Sequence, residues 1–370
     1  MNILFVTSFS TGQGHKSITE ALKAQIERQM PEARITVVDG FAIGNWAARA
    51  SGRVYNAIAV YMPLLWGMLY RFCDFAHNSI NRLTAYCIKD GFINCVNFHD
   101  PDLIISVHAA FVGSILSILS EKSKSIPVIS VIADLDNITS LWSDKRVHSI
   151  VCPTEEACKR MRELGMPDEK LKHFGFPVRD EFISNEEPPA PEAGKRISAL
   201  LISGSQGSRK IKSIVKSLSA DGSCKMCIIT GSNALLKAEL EKVQNDFIDV
   251  LGFTSEIVKY MKQADLLIAR ASPNVLMEAV NLGKPVIVTD SFYGQEKKNP
   301  KFMTSHRLGI FCGKPRKIVK AIDMLKADNF KLLKEISKNQ MDYRKPDAAE
   351  RIAAFAIESC AVSEMKKVEM

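Results

Sequence analysis

Short runs of Ile, Val and Leu alternate with longer helix-forming stretches along this chain, and the alternation is interrupted once. Before the interruption the apolar runs are Asn2 to Thr7, Arg34 to Asp39, Asp102 to Ser106, Pro127 to Ala133 and His148 to Cys152. Runs that are apolar throughout, and not only at every second position, suit strands covered on both faces. Helix candidates at about 16–30, 109–122 and 155–164 supply the cover. The pattern predicts a parallel, doubly wound α/β sheet.

From Ser184 to Gly194 the chain is dense in proline and acid and can continue neither a strand nor a helix, so it predicts a linker or hinge loop. The rhythm then restarts, with strands expected at Ile197 to Ser203, Cys224 to Thr230, Phe247 to Leu251, Asp265 to Ala269 and Pro285 to Thr289. A chain of 370 residues is long enough for two domains with separate cores. The expected arrangement is two doubly wound parallel-sheet domains facing a cleft, residues 1–183 and 197–345, joined by a linker at 184–196. A last helix at about Asp347 to Ser359, within 346–370, follows Lys345-Pro346 and is expected to pack back across the joint.

Hydrophobic residues at 46% and charged residues at 24% are ordinary for a globular chain, so disorder is not the default expectation. The formal charge of +8 predicts an acidic partner, for which nucleic acid, an anionic membrane surface and a phosphorylated substrate all qualify. Met1-Asn2-Ile3-Leu4 runs straight into a strand without a basic leader or small-residue cleavage site, which predicts a cytoplasmic start. Nine cysteines without a framework spacing are expected as reduced thiols. The one close pair, Cys224 and Cys227, has no second pair and no nearby histidine, so strand packing is expected there in place of metal or redox work.

Several motifs carry possible chemistry. The first strand runs into Gly12-Gln13-Gly14-His15, a glycine-bearing turn before a helix, where backbone amides can approach an anion and a neutral imidazole can take a proton. Asp39 ends the second strand where a dinucleotide site would place its ribose-binding acid, but Ser17 stands at the third glycine position of that fingerprint. His108 follows the third strand, and Asp134 ends the fourth. In the second half, Gly204-Ser205-Gln206-Gly207 opens a helix after a strand, as a diphosphate loop does. Further on, Phe253 follows Gly252, and Ser272-Pro273-Asn274 precedes a helix carrying Glu278. Gly283-Lys284-Pro285-Val286-Ile287-Val288 forms the next loop and strand, and Gln295-Glu296 lies beyond it. A carboxylate on that helix can accept both hydroxyls of a ribose, and a Gln-Glu pair can bracket sugar hydroxyls.

Between Arg53 and Arg71 the stretch Val54 to Tyr70 has no charged residue. Asn56 and Pro63 are expected to interrupt it, and Tyr55, Tyr61, Trp66 and Tyr70 stand among aliphatics, which predicts an interfacial helix pair and not a span.

In their order these motifs resemble the glycosyltransferases that include monogalactosyldiacylglycerol synthases, processive diacylglycerol glucosyltransferases and, more distantly, the lipid II-forming N-acetylglucosaminyltransferase. The resemblance runs from Gly12 to Asn299 and implies a GT-B fold and inverting transfer of a hexose from a UDP-sugar to a membrane lipid, diacylglycerol foremost. It implies His15 as general base, Gly14, His108, Asp134, Tyr61 and Trp66 on the acceptor side, and Gly204, Ser205, Gln206, Gly207, Phe253, Ser272, Asn274, Glu278, Gln295 and Glu296 on the donor side. The implied partners are a UDP-sugar, a lipid acceptor and an anionic membrane surface at the inner face of the cell membrane, with no nucleic acid, no metal and no cofactor beyond the donor. Three departures stand out. Ala133 replaces a family threonine, Thr139 occupies about the place of a family histidine, and Ala269-Arg270-Ala271-Ser272-Pro273-Asn274-Val275 replaces a glycine-rich or Gly-Thr segment. A glycosyltransferase with a soluble acceptor, a non-catalytic nucleotide-sugar binder and a dinucleotide-dependent enzyme are the alternatives.

Overall fold

The computed structural model describes residues 1–9, 11–189, 191–192, 194–203, 210–222 and 224–368. The chain forms two compact units, the first of Met1–Arg179, Phe292–Gln295 and Lys345–Met370, the second of Asp180–Ser291 and Glu296–Arg344.

The first unit begins β1 (Asn2–Thr7), α1 (Gln13–Gln29), β2 (Arg34–Asp39), α2 (Trp46–Tyr61) and α3 (Pro63–His99). It continues β3 (Leu103–Ser106), α4 (Ala109–Glu121), β4 (Val128–Val131), β5 (Ser149–Val151), α5 (Glu155–Glu163) and β6 (Leu171–Lys172). The strands lie in the order β2-β1-β3-β4-β5-β6 and every neighbouring pair is parallel. Leu4, Phe5 and Val6 are wholly buried, as a strand sandwiched between helices requires. The two-residue β6 is too short for a hydrophobic period to reveal.

Helices α2 and α3 form where the sequence predicts a pair. The Asn45 side chain caps α2 by accepting from Ala47 and Ala48 N–H, and Pro63 stands at the start of α3, where a missing N–H costs nothing. Only the proline interrupts the run: Asn56 lies inside α2, consistent with an interior asparagine costing about 0.7 kcal/mol or less. Leu64, Met68, Phe72, Phe75, Leu83 and Tyr86 are exposed at helical spacing along α3, with Tyr61 beside them at the end of α2. Trp66 does not join this stripe, being only 8% exposed. Among the described residues no helix is long and apolar enough to cross a membrane.

The second unit comprises β7 (Ile197–Ile202), α6 (Ile211–Asp221), β8 (Cys224–Ile229), α7 (Ala234–Glu241), β9 (Ile248–Leu251) and α8 (Ile257–Gln263). These are followed by β10 (Leu266–Ala269), α9 (Pro273–Asn281), β11 (Val286–Val288), α10 (Asn299–Ser305), β12 (Gly309–Phe311) and α11 (Pro315–Tyr343). Its strands run β12-β11-β10-β7-β8-β9, again all parallel, over a core that includes Leu201, Leu218, Ile228, Leu266 and Ile322. Cys224 and Cys227 both lie on β8, where a three-residue separation puts side chains on opposite faces, and all nine cysteines are free thiols.

The boundaries differ from the sequence expectation at three places. The polar stretch begins packed on the second unit: Ser184 N–H donates to the Asn281 carbonyl, and Arg344 donates to the carbonyls of both, satisfying orphan groups at the end of α9. Residues 292–295 belong to the first unit although their sequence neighbours belong to the second. The last helix, α12 (Ala348–Val368), also belongs to the first unit and lies against α1 and β3.

Each strand order reverses once, between β1 and β3 in the first sheet and between β7 and β10 in the second. In open parallel sheets, ligands bind beyond the carboxyl ends of the strands at such a reversal.

Candidate active site

His15 and His108 stand at the reversal of the first sheet. Gly12 precedes α1 with φ 122, a conformation only glycine adopts without strain, and this sets His15 in the first helical turn. His15 Nδ1 lies 2.7 Å from the Val107 carbonyl, just beyond β3. A carbonyl can only accept, so Nδ1 carries the hydrogen and Nε2 keeps its lone pair. Burial pushes the His15 pKa down to about 4, against a smaller upward pull from the Val107 carbonyl. The ring is therefore neutral at neutral pH, with one nitrogen ready to take a proton.

His108 is built differently. It caps α4, its Nδ1 accepting from Ala110 N–H at 3.2 Å, so its lone pair is engaged and the neutral ring carries its hydrogen on Nε2. Its centroid lies 4.6 Å from that of His15, with Phe41 and Phe111 against it. Burial first and His15 second hold its pKa well below the usual range. The structure thus brings the two predicted histidines together in unlike tautomers, and His15 is the one fitted to act as a base.

Asp39 serves the backbone: its carboxylate accepts from the N–H groups of Phe9 at 2.8 Å, Phe41 at 2.8 Å and Ala42 at 3.1 Å, tying the turn after β2 to the segment after β1. Asp134, beyond β4, accepts from the Trp142 indole at 3.0 Å. Thr139, at the place of the family histidine, caps the turn Ser140–Trp142 and donates to Asp74 Oδ1 on α3.

Gly204, Ser205, Gln206 and Gly207 lie outside the described residues. At the reversal of the second sheet, β10 leads through Arg270 and Ala271 to Ser272, which occupies the cap position of α9. Asn274 and Glu278 are buried on that helix. Phe253, beyond β9, is 75% exposed and thus not a core phenylalanine. Glu296 is buried beside Arg270, whose Nε lies 3.0 Å from Glu296 Oε2.

Residues 15–178 match the monogalactosyldiacylglycerol (MGDG) synthase family, and residues 198–352 match the glycosyltransferase family 28 C-terminal domain. The chain is a glycosyltransferase of the MGDG synthase type. It is 26% identical to the chloroplastic MGDG synthase of Spinacia oleracea over 92% of this chain and 69% of that protein. It is likewise 26% identical to MGDG synthase 3 of Arabidopsis thaliana, over 91% and 77%. Among solved structures, Acinetobacter baumannii MurG matches with a TM-score of 0.64 at 13% identity over 96% of this chain and 99% of that one. A putative UDP-N-acetylglucosamine 2-epimerase of Listeria monocytogenes matches at 0.61 with 14% identity, over 97% and 96%. These likenesses establish the GT-B fold, and because transferases and an epimerase share it, the activity rests on the family matches.

Within this glycosyltransferase, Trp66 and Gln295 come together: the indole N–H donates to Gln295 Oε1 at 3.1 Å. Tyr70 OH donates to the Asn137 carbonyl at 2.6 Å, and Asn137 Nδ2 donates to the Gly294 carbonyl at 2.6 Å. At Gly294, φ is 128, and a Cβ would fall 2.7 Å from Trp66 Nε1, so glycine alone fits the position. The sequence singles out neither Asn137 nor the pairings of Tyr70 and Arg270, which it shows only as members of an aromatic stretch and of a departing segment. Tyr61, by contrast, stands exposed at the end of α2.

Proposed function

We propose that the protein transfers a hexose from a UDP-sugar to the hydroxyl of a membrane lipid, diacylglycerol foremost, with inversion at the anomeric carbon. The observation that carries this reading is the His15 imidazole, neutral, with Nδ1 donating to Val107 and Nε2 turned into a base. As the lipid oxygen bonds to the anomeric carbon, Nε2 takes its proton and the bond to the UDP oxygen breaks. The amides at the start of α9 favour the departing diphosphate, Glu278 holds the ribose, and Gln295 and Glu296 bracket the sugar hydroxyls. Backbone dipoles supply the countercharge in this scheme, so no metal is required.

The deciding assay offers a panel of UDP-sugars with and without diacylglycerol vesicles and follows both UDP and glycolipid. UDP release that requires the lipid, with the rate unchanged by EDTA, is the expected result. Release with soluble acceptors alone would replace the lipid reading. UDP binding that leaves every UDP-sugar intact would make the protein a binder, and a melting temperature raised by NAD and not by UDP would favour the dinucleotide alternative.

The acceptor assignment predicts a peripheral membrane protein at the inner face of the cell membrane. The exposed stripe from Leu64 to Tyr86, with Arg71 and Arg82 also exposed, supports docking by burial of apolar side chains together with attraction to anionic lipid. Each basic residue near an anionic surface contributes about 1 kcal/mol, which salt screens while apolar burial persists. Sedimentation should therefore be strongest with anionic vesicles, weaker with neutral ones and weaker at high salt. Replacing Phe72 and Phe75 with serine should lower binding to both vesicle types while the melting temperature holds. Unaltered binding by that folded variant would remove the stripe from the docking surface. Trp66 is unsuited to the test because it is buried.

A further inference from the structure

We propose that Asn137 is a positioning residue for the donor sugar, its amide pinning the Gly294 carbonyl and so setting the backbone from which Gln295 reaches the hexose. The inference rests on the UDP-sugar reading above, in which Gln295 brackets sugar hydroxyls, and gives a role to a residue in the loop beyond β4.

Gly294 and Gln295 belong to the first unit together with Asn137. Asn137 Nδ2 donates to the Gly294 carbonyl at 2.6 Å. A carbonyl can only accept, so the amide nitrogen is the atom that faces it. That carbonyl belongs to the planar peptide group joining Gly294 to Gln295, so holding its oxygen sets the plane and with it the place of the Gln295 Cα.

The peptide needs a pin because a glycine precedes it. Gly294 sits at φ 128, and without a Cβ it has other conformations open to it at little cost. Each would turn the peptide plane and carry Gln295 with it. A stiffer residue does not fit, since a Cβ would fall 2.7 Å from Trp66 Nε1. A side chain that holds the carbonyl supplies the order that the glycine lacks.

Other groups hold the loop that carries Asn137. Tyr70 OH donates to the Asn137 main-chain carbonyl at 2.6 Å, Arg160 Nε donates to the Ile138 carbonyl at 3.2 Å, and Ser140 N–H donates to Asp74 Oδ1 at 2.7 Å. None of these uses the Asn137 side chain, so that side chain can change while its loop keeps its course. Asn137 is half-buried, so a charge placed there is not sealed from water.

The test compares the full chain with Asn137→Ala, with Asn137→Asp, with Gln295→Ala and with the double variant Asn137→Ala/Gln295→Ala. Aspartate keeps the shape of asparagine but, ionised, offers the carbonyl no donor. Each protein is assayed with the UDP-hexose that the unaltered protein uses best, at saturating lipid, and UDP affinity and melting temperature are measured separately. Both Asn137 variants should lose about tenfold or more in kcat/KM, because a misplacement of about 1 Å can cost about 100-fold, with UDP affinity within about threefold and the melting temperature near the original. Because Asn137 acts through Gln295, the double variant should be no slower than Gln295→Ala alone. A purely structural role would lower UDP affinity and melting temperature together, and independent roles would multiply the losses in the double variant; either result overturns the inference. So does a folded Asn137→Asp or Asn137→Ala protein whose kcat/KM stays within about threefold of the original. If Gln295→Ala keeps full activity, or the unaltered protein transfers from no UDP-hexose, the donor reading itself fails and the inference falls with it, an outcome distinct from the others.

Discussion

Replacing His15 with alanine is expected to lower turnover by about 100-fold or more while UDP affinity stays near that of the unaltered protein. A base acts on the proton of the attacking hydroxyl, which changes hands in the transition state, and so contributes little to binding the donor. The acidic limb of the rate profile tests the same group. With the His15 pKa near 4, loss of the base form begins well below the ordinary histidine range, so rates should stay level from neutral pH to about pH 5 as far as His15 is concerned. Stability has the opposite sensitivity. An unfolded histidine takes up its proton near pH 6.5 and the folded one only near 4, so stability present above pH 6.5 is lost as the pH falls between those values. Activity of His15→Ala within a few-fold of the original would place the base elsewhere. His108 is poorly placed to take over, because its Nδ1 lone pair is engaged by Ala110 N–H.

Much of this arrangement is legible in the sequence because its causes are local. The strands of both sheets are nearly continuous apolar runs, so period and length identify them, and Gly12-Gln13-Gly14-His15 announces a strand-to-helix turn with a histidine on it. The fate of Trp66 is not local. A tryptophan in an uncharged aromatic stretch suggests a membrane or lipid contact, but its indole needs a hydrogen-bond partner when buried and finds one in Gln295, far along the chain. The segment from Phe292 to Gln295 is equally opaque, since a stretch without periodicity gives no sign that it leaves one unit for another. Arg270 and Glu296 belong to the same class. Either alone suggests an exposed charge, and only the adjacency of β10 and β11 puts them together in a buried place. The length of α3 escaped for another reason: its outward side mixes apolar residues such as Leu64, Phe72 and Phe75 with Arg71 and Arg82, which blurs the helical contrast between a wet and a dry side.

Replacing Glu278 with alanine should weaken UDP binding by about tenfold or more, corresponding to about 1.5–3 kcal/mol for a charge-assisted contact to ribose hydroxyls. Glu278 lies on α9 beyond the turn that begins at Ser272, so the proposed diphosphate position at the helix start and the proposed ribose position at the carboxylate would follow one another along one helix. The residue is buried, and alanine also leaves a gap, so a lower melting temperature alone would not distinguish ribose recognition from packing. Glu278→Gln separates the two. Glutamine keeps the volume and one carbonyl acceptor but loses the charge and the second oxygen, so it cannot accept both hydroxyls. Its melting temperature should stay near the original without nucleotide, while the stabilisation given by added UDP shrinks as the affinity falls. A folded Glu278→Ala or Glu278→Gln protein that binds UDP as tightly as the original would remove the carboxylate from the ribose site.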